Sequence, residues 1–106
     1  MTDTQDLIVV GAGSGGFAAA MRAAQVGGKV TIIEQALYGG NCMHKACIPT
    51  KVLMTAARSM AAIRKAGRYG IQAGEQPQVD MEALHERKEV ILEGLRMGTE
   101  QLPVSY

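Results

Sequence analysis

The sequence predicts an α/β fold: a βαβ unit followed by two long helices. Three observations predict it. Leu7 to Val10 is an apolar run ended by glycine, Lys29 to Glu34 (KVTIIE) returns to β-branched residues after an Ala-rich stretch, and Ile48 onward repeats apolar residues at helical spacing.

Each element has its own local reason. The run Leu7 to Val10 suits a parallel strand buried on both faces, stopped at Gly11. Phe17 through Ala24 favours helix, and Gly27-Gly28 supplies a C-terminal stop. With the second strand this makes a unit of about 30 residues, the usual size of a βαβ crossover. After a Gly-rich turn at Tyr38-Gly39-Gly40, Ile48, Val52, Ala56, Met60 and Ile63 predict a helix that runs to a stop at Gly67 and has the second cysteine at its head. Residues 70–78, with Gly74 and Pro77, predict a loop. Asp80 then caps a last helix, with Leu84, Ile91, Leu95 and Leu102 on one stripe despite polar Lys88 and the helix-weakening Gly94.

Composition narrows the function classes. A formal charge of +1 and four aromatic residues (Phe17, Tyr38, Tyr69, Tyr106) provide neither the field nor the stacking surface of a nucleic-acid binder. The apolar runs fall short of the roughly 18 residues that cross a bilayer, and the N-terminus lacks the pattern of a signal peptide. A cytoplasmic protein without membrane partners is expected. In a reducing compartment, two cysteines five positions apart point to redox chemistry or metal binding more than to a structural staple.

Gly11-Ala12-Gly13-Ser14-Gly15-Gly16 matches G-x-G-x-x-G between a strand and a helix, where glycines permit a tight turn and close approach of backbone to a pyrophosphate. The free N–H groups and positive dipole end of the following helix favour that charge. Glu34, ending the next strand, is placed to accept hydrogen bonds from a ribose diol, and its charge disfavours a 2′-phosphate. The motif alone does not separate FAD from NAD.

Cys42 and Cys47 follow soon after. Residues five apart on an ideal helix have Cα atoms about 8 to 9 Å apart, too far for a disulfide, so the backbone between them must leave regular helix if they bond. Pro49, which starts helices well, assists. The alternatives are two small buried hydrophobes, or zinc held with His44 and His85. Zinc is disfavoured because His44 lies between the cysteines and His85 belongs to another helix. No metal is expected.

The run Tyr38-Gly39-Gly40-Asn41-Cys42, then four residues, then Cys47-Ile48-Pro49-Thr50-Lys51, resembles the active-site signature of class I pyridine nucleotide-disulfide oxidoreductases, which include dihydrolipoamide dehydrogenase, glutathione reductase, mercuric reductase and soluble transhydrogenase. The resemblance implies that residues 1–106 are the N-terminal part of a Rossmann-like FAD-binding domain, with the NAD(P)-binding and dimerisation domains of the family absent. It implies FAD on Gly11, Gly13, Ser14, Gly15 and Gly16, with Glu34 at the adenosine ribose. Gly40, Asn41 and Cys42 would lie toward the diphosphate and flavin. Lys51 would lie near the flavin ring, its plain alternative being a solvated helix lysine. Cys42 would be the thiol that attacks substrate and Cys47 the thiol packed against flavin.

The activity implied is electron transfer between NAD(P)H and a small disulfide or dithiol, most like dihydrolipoamide dehydrogenase, by a homodimer in the complete enzyme. Mercuric reductase-like and transhydrogenase-like chemistries are the near alternatives. A nucleotide-binding module with incidental cysteines and a flavin-free thiol exchanger are the more distant ones. The chain departs from the family pattern at Asn41 (commonly Thr), Met43 (smaller aliphatic), His44 (usually Asn) and Ala46 (usually Gly). His44 reads as a tolerated surface variant, and the ending LPVSY reads as a truncation ahead of a further strand.

Overall fold

The computed structural model describes residues 4–74 and 76–102, so of the ending LPVSY only Leu102 lies within the described residues. Two strands, β1 (Leu7–Val10) and β2 (Val30–Ile33), pair in parallel with Leu7 opposite Val30 and Val10 opposite Ile33. Between them runs α1 (Ser14–Gln25), so the first half is the predicted βαβ unit. A short helix α2 (Gly40–His44) follows, then α3 (Cys47–Lys65), a 3₁₀ turn (Ala66–Tyr69) and α4 (Met81–Gln101). Among the described residues no helix is long and apolar enough to cross a membrane.

Helix α1 starts at Ser14, three residues before the expected Phe17, so the second half of the glycine loop, Ser14 to Gly16, is itself the first helical turn. The helix stops where Gly27, with φ +91°, donates to the Ala24 carbonyl and Gly28 to the Ala23 carbonyl. Helix α3 likewise continues through the 3₁₀ turn, past Gly67, to the left-handed Gly70. A glycine stops a helix only where it adopts positive φ, which Gly67 does not.

Side-chain burial corrects two expectations. Strand β1 is covered on one face only. A Cβ at Gly16 would lie 3.2 Å from Val9 Cγ1, which places Val9 under α1, whereas Ile8 and Val10 on the opposite face are 57% and 81% exposed. The described part of the chain is elongated, 72 × 25 × 19 Å, and holds no second layer for that face. On α4 the buried residue is Leu92, while Leu95 and Leu102 are exposed. Leu84, Lys88 and Leu92, spaced by four, lie along one face. Lys88 is compatible with that face because its charge stays paired with Glu89 at 2.8 Å while its aliphatic stem is covered. Asp80 caps α4 as expected, accepting from the N–H groups of Glu82 and Ala83 at 3.0 Å.

Candidate functional site

The site is built where the end of β1, the start of α1 and the segment after β2 converge on Ala12, the most buried residue described. Gly11 leaves the strand with φ +98°, a conformation that favours glycine, and its N–H still reaches the Ile33 carbonyl at 2.7 Å. Ala12 is then held from two directions. Its N–H donates to Glu34 Oε2 at 2.7 Å, and its carbonyl accepts from the Gly39 N–H at 2.8 Å.

Gly13 precedes the first turn of α1, and among the described residues no side chain caps that end and no acidic residue lies in its first turn. The Gly13 carbonyl accepts the first helical bond, from Phe17, so the N–H groups of Ser14, Gly15 and Gly16 precede the helical ladder. Beyond its own chain neighbours, a Cβ added at Gly13 or Gly15 would meet no described atom within 4 Å, so the surface beside these two residues is open. At Gly16 the reverse holds, because a Cβ would overlap the Gly11 carbonyl. Gly16 is therefore needed for close helix-strand packing, whereas Gly15 is under no such steric demand.

Glu34 directly follows β2. Its Oε2 accepts from Ala12 and its Oε1 from the Ala36 N–H at 2.9 Å, which fixes the carboxylate beside the loop. The Ala12 N–H, then the Ala36 N–H, hold the Glu34 carboxyl below the ordinary carboxylate range, against an opposing effect of desolvation. The Gln35 N–H is a third, weaker donor, and the carboxylate still has lone-pair capacity for an outside donor.

The Gly-rich turn brings the second half of the site onto the first. Gly39 has φ +100° and Gly40 φ +62°, and a Cβ at Gly40 would come within 2.8 Å of Gly13 Cα. Backbone thus packs on backbone between the two glycine segments. Glu34, Gly40 and Asn41 line a cavity of about 210 Å³ together with His44 and Lys45.

Cys42 lies in the middle of α2, and Cys47 opens α3. The Asn41 carbonyl accepts from both Lys45 and Ala46 N–H groups, which closes α2. Ala46 then turns the chain with φ −126° and ψ −88° before its carbonyl accepts the Thr50 N–H that starts α3. This break in the helix brings the two cysteine Cα atoms to 4.7 Å, and the sulfurs are joined as a disulfide. The expected departure from regular helix is observed. Cys47 is the more exposed of the pair.

Lys51 is one helical turn beyond Cys47 on the same face of α3 and is exposed, beside the α3–α4 groove that Thr55 and Leu84 also line. The structure therefore brings together Gly11, Gly13, Ser14, Gly15, Gly16, Glu34, Gly40 and Asn41, with the disulfide joining the middle of α2 to the start of α3 and Lys51 apart from the loop. Sequence reasoning missed Ala12, which stands at a variable position of the glycine motif. It also misjudged His44, which is half-buried with its Nε2 2.7 Å from the Tyr38 carbonyl. A polar ring placed between two cysteines was the available signal.

Comparison with known proteins agrees in kind. The family model described as "Pyridine nucleotide-disulphide oxidoreductase" matches residues 5–101. Dihydrolipoyl dehydrogenase of Bacillus subtilis (strain 168) is 34% identical over 102 residues, covering 96% of this chain and 21% of the relative. The enzyme of the same name from Chlamydia muridarum is 39% identical over 98 residues, covering 92% of this chain and 21% of the relative. That of Haloferax volcanii is 42% identical over 97 residues, covering 92% and 20%. The chain thus spans about a fifth of the length of these relatives.

Proposed function

The chain belongs to the pyridine nucleotide-disulphide oxidoreductase family, and from that premise we propose that it supplies the FAD cradle and redox disulfide of an enzyme passing electrons between NAD(P)H and a small disulfide or dithiol. The observation that carries the reading is the adjacency of two features. An uncapped glycine-loop helix start, open beside Gly13 and Gly15, lies against the turn that leads into the Cys42–Cys47 disulfide.

The residues present fit the cofactor. Ser14, Gly15 and Gly16 would offer backbone N–H groups and the helix dipole to the pyrophosphate. The remaining lone pairs of Glu34 would accept from ribose hydroxyls, and Asn41 would extend the polar lining toward the diphosphate. When bound, FAD supplies two-electron transfer between the nicotinamide nucleotide and the disulfide.

The chain's own chemistry is thiol-disulfide exchange. Two electrons and two protons convert Cys42–Cys47 to a dithiol. The Cys42 thiolate then attacks one sulfur of a substrate disulfide, forming a mixed disulfide and releasing the other sulfur as a thiolate that takes up a proton. The Cys47 thiolate attacks Cys42, re-forms the internal disulfide and releases the second substrate sulfur, leaving the substrate reduced by two electrons. Cys47 suits the resolving role because it opens the 19-residue α3, whose N-terminus favours a thiolate. Lys51, one turn further, adds positive charge on the same face. By analogy with the relatives' name, the substrate class proposed is a dihydrolipoyl-type dithiol, and the assembly proposed is a cytoplasmic homodimer.

The test is direct. The purified chain incubated with FAD should quench flavin fluorescence at one equivalent, and it should show no titratable thiol until reduction exposes both cysteines. Failure to retain FAD would reject the cradle, and free thiols before reduction would reject the redox pair.

A further inference from the structure

His44 ends α2 and lies between the two cysteines in sequence, yet its ring is turned back on the chain, with Nε2 2.7 Å from the Tyr38 carbonyl. A carbonyl oxygen only accepts, so Nε2 must carry the proton. In the neutral ring Nδ1 is then bare. The partner matters because Tyr38 opens the turn whose next residue, Gly39, donates to Ala12, and whose Gly40 backbone packs on Gly13. The bond closes residues 38–44, Cys42 among them, into one ring fastened to the glycine loop. The same imidazole lines the cavity that Glu34 and Asn41 share.

We infer that His44 is a positioning residue: through Nε2–H on the Tyr38 carbonyl it holds the Gly39–Gly40 turn and the Cys42 helix against the Ala12–Gly13 loop, and so links disulfide and cradle. Its effect on flavin affinity rests on the function proposed above, whereas the bond and its hold on the turn do not. Loss of the bond frees the Tyr38 carbonyl to turn to water, and the Gly39–Ala12 bond then opens more often. Gly40 and Asn41 move with it, at the place where the diphosphate would lie.

Three variants discriminate. Gln carries its amide nitrogen the same number of bonds from Cβ as imidazole Nε2, while Asn reaches only the Nδ1 position. Amide hydrogen exchange at Gly39 in the oxidised full chain should quicken about fivefold in His44→Ala, as loss of one ordinary net hydrogen bond dictates. His44→Asn should behave like His44→Ala, and His44→Gln should return exchange to within about twofold of the parent. FAD affinity from fluorescence quenching should follow the same order. In the unsubstituted chain, ring ¹⁵N shifts at neutral pH should report the Nε2–H tautomer. An Nδ1–H tautomer, unchanged exchange in His44→Ala, or failure of Gln to restore it would overturn the assignment. If exchange follows the expected order while the unsubstituted chain binds no FAD, the positioning role stands and the flavin reading fails.

Discussion

The backbone N–H of Ala12 donates to Oε2 of Glu34 at 2.7 Å, joining residues 22 positions apart. This bond fixes the carboxylate before any ligand arrives, so an outside donor meets an acceptor that has already lost its rotamer freedom. Glu34→Ala should therefore weaken FAD binding through loss of charge-assisted acceptors, by about tenfold in dissociation constant. Unchanged affinity in fluorescence titration would remove Glu34 from the site.

The same bond predicts a pH dependence. The Glu34 carboxyl is held below the ordinary range by the Ala12 and then the Ala36 N–H groups. A group with a depressed folded value contributes stability fully above its unfolded value, about 4.3, and loses that contribution as pH falls through the folded value. Exchange protection at Ala12, corrected for intrinsic rates, should hold from pH 7 down to that region and fall only below it. In Glu34→Gln this acid step should disappear. A step near neutral pH would contradict the assigned cause.

Two neighbouring glycines should respond in opposite ways. Gly16→Ala forces a Cβ onto the Gly11 carbonyl and should destabilise the chain by about 1–3 kcal/mol. Gly15→Ala meets open space within a helix, so stability should hold or rise by up to about 1 kcal/mol, while FAD binding weakens because the methyl intrudes where phosphate would approach. Thermal unfolding with and without FAD separates the two. A Gly15→Ala chain that binds FAD as the parent does would place the cofactor elsewhere.

The two cysteines should also differ. Cys42→Ser leaves Cys47 exposed at the head of α3, and it should react quickly with an aromatic disulfide reagent and give a long-wavelength absorption band with oxidised FAD. Cys47→Ser leaves the half-buried Cys42, which should react more slowly and give no such band. Both variants should abolish catalytic disulfide turnover, since exchange needs an attacking and a resolving sulfur. The reverse pattern of bands would exchange the two roles.

Far from the site, Asp80→Ala removes acceptors from the Glu82 and Ala83 N–H groups and should cost about 1 kcal/mol, read as a lower unfolding midpoint with no change in FAD affinity. A changed affinity would mean that α4 communicates with the loop.

The βαβ order, the glycine loop before α1, the helix headed by Cys47 and the Asp80 cap were all legible in the sequence, because each rests on a periodicity or a neighbour within a few residues. Even the break between the cysteines could be deduced, since a regular helix holds positions five apart beyond bonding distance. What only the tertiary structure decided are relations between segments remote in the chain. The Ala12–Glu34 bond, the packing of Gly40 on Gly13 and the His44–Tyr38 bond depend on where two turns meet in space, which local pattern does not encode. Burial belongs to the same class. Apolar Ile8 and Val10 flank the covered Val9 in a strand that one helix covers on one face, and Leu92 rather than Leu95 is buried because helix rotation is set by what packs against it. Composition and spacing state what a residue can do, and only the surrounding atoms determine which of those capacities it uses.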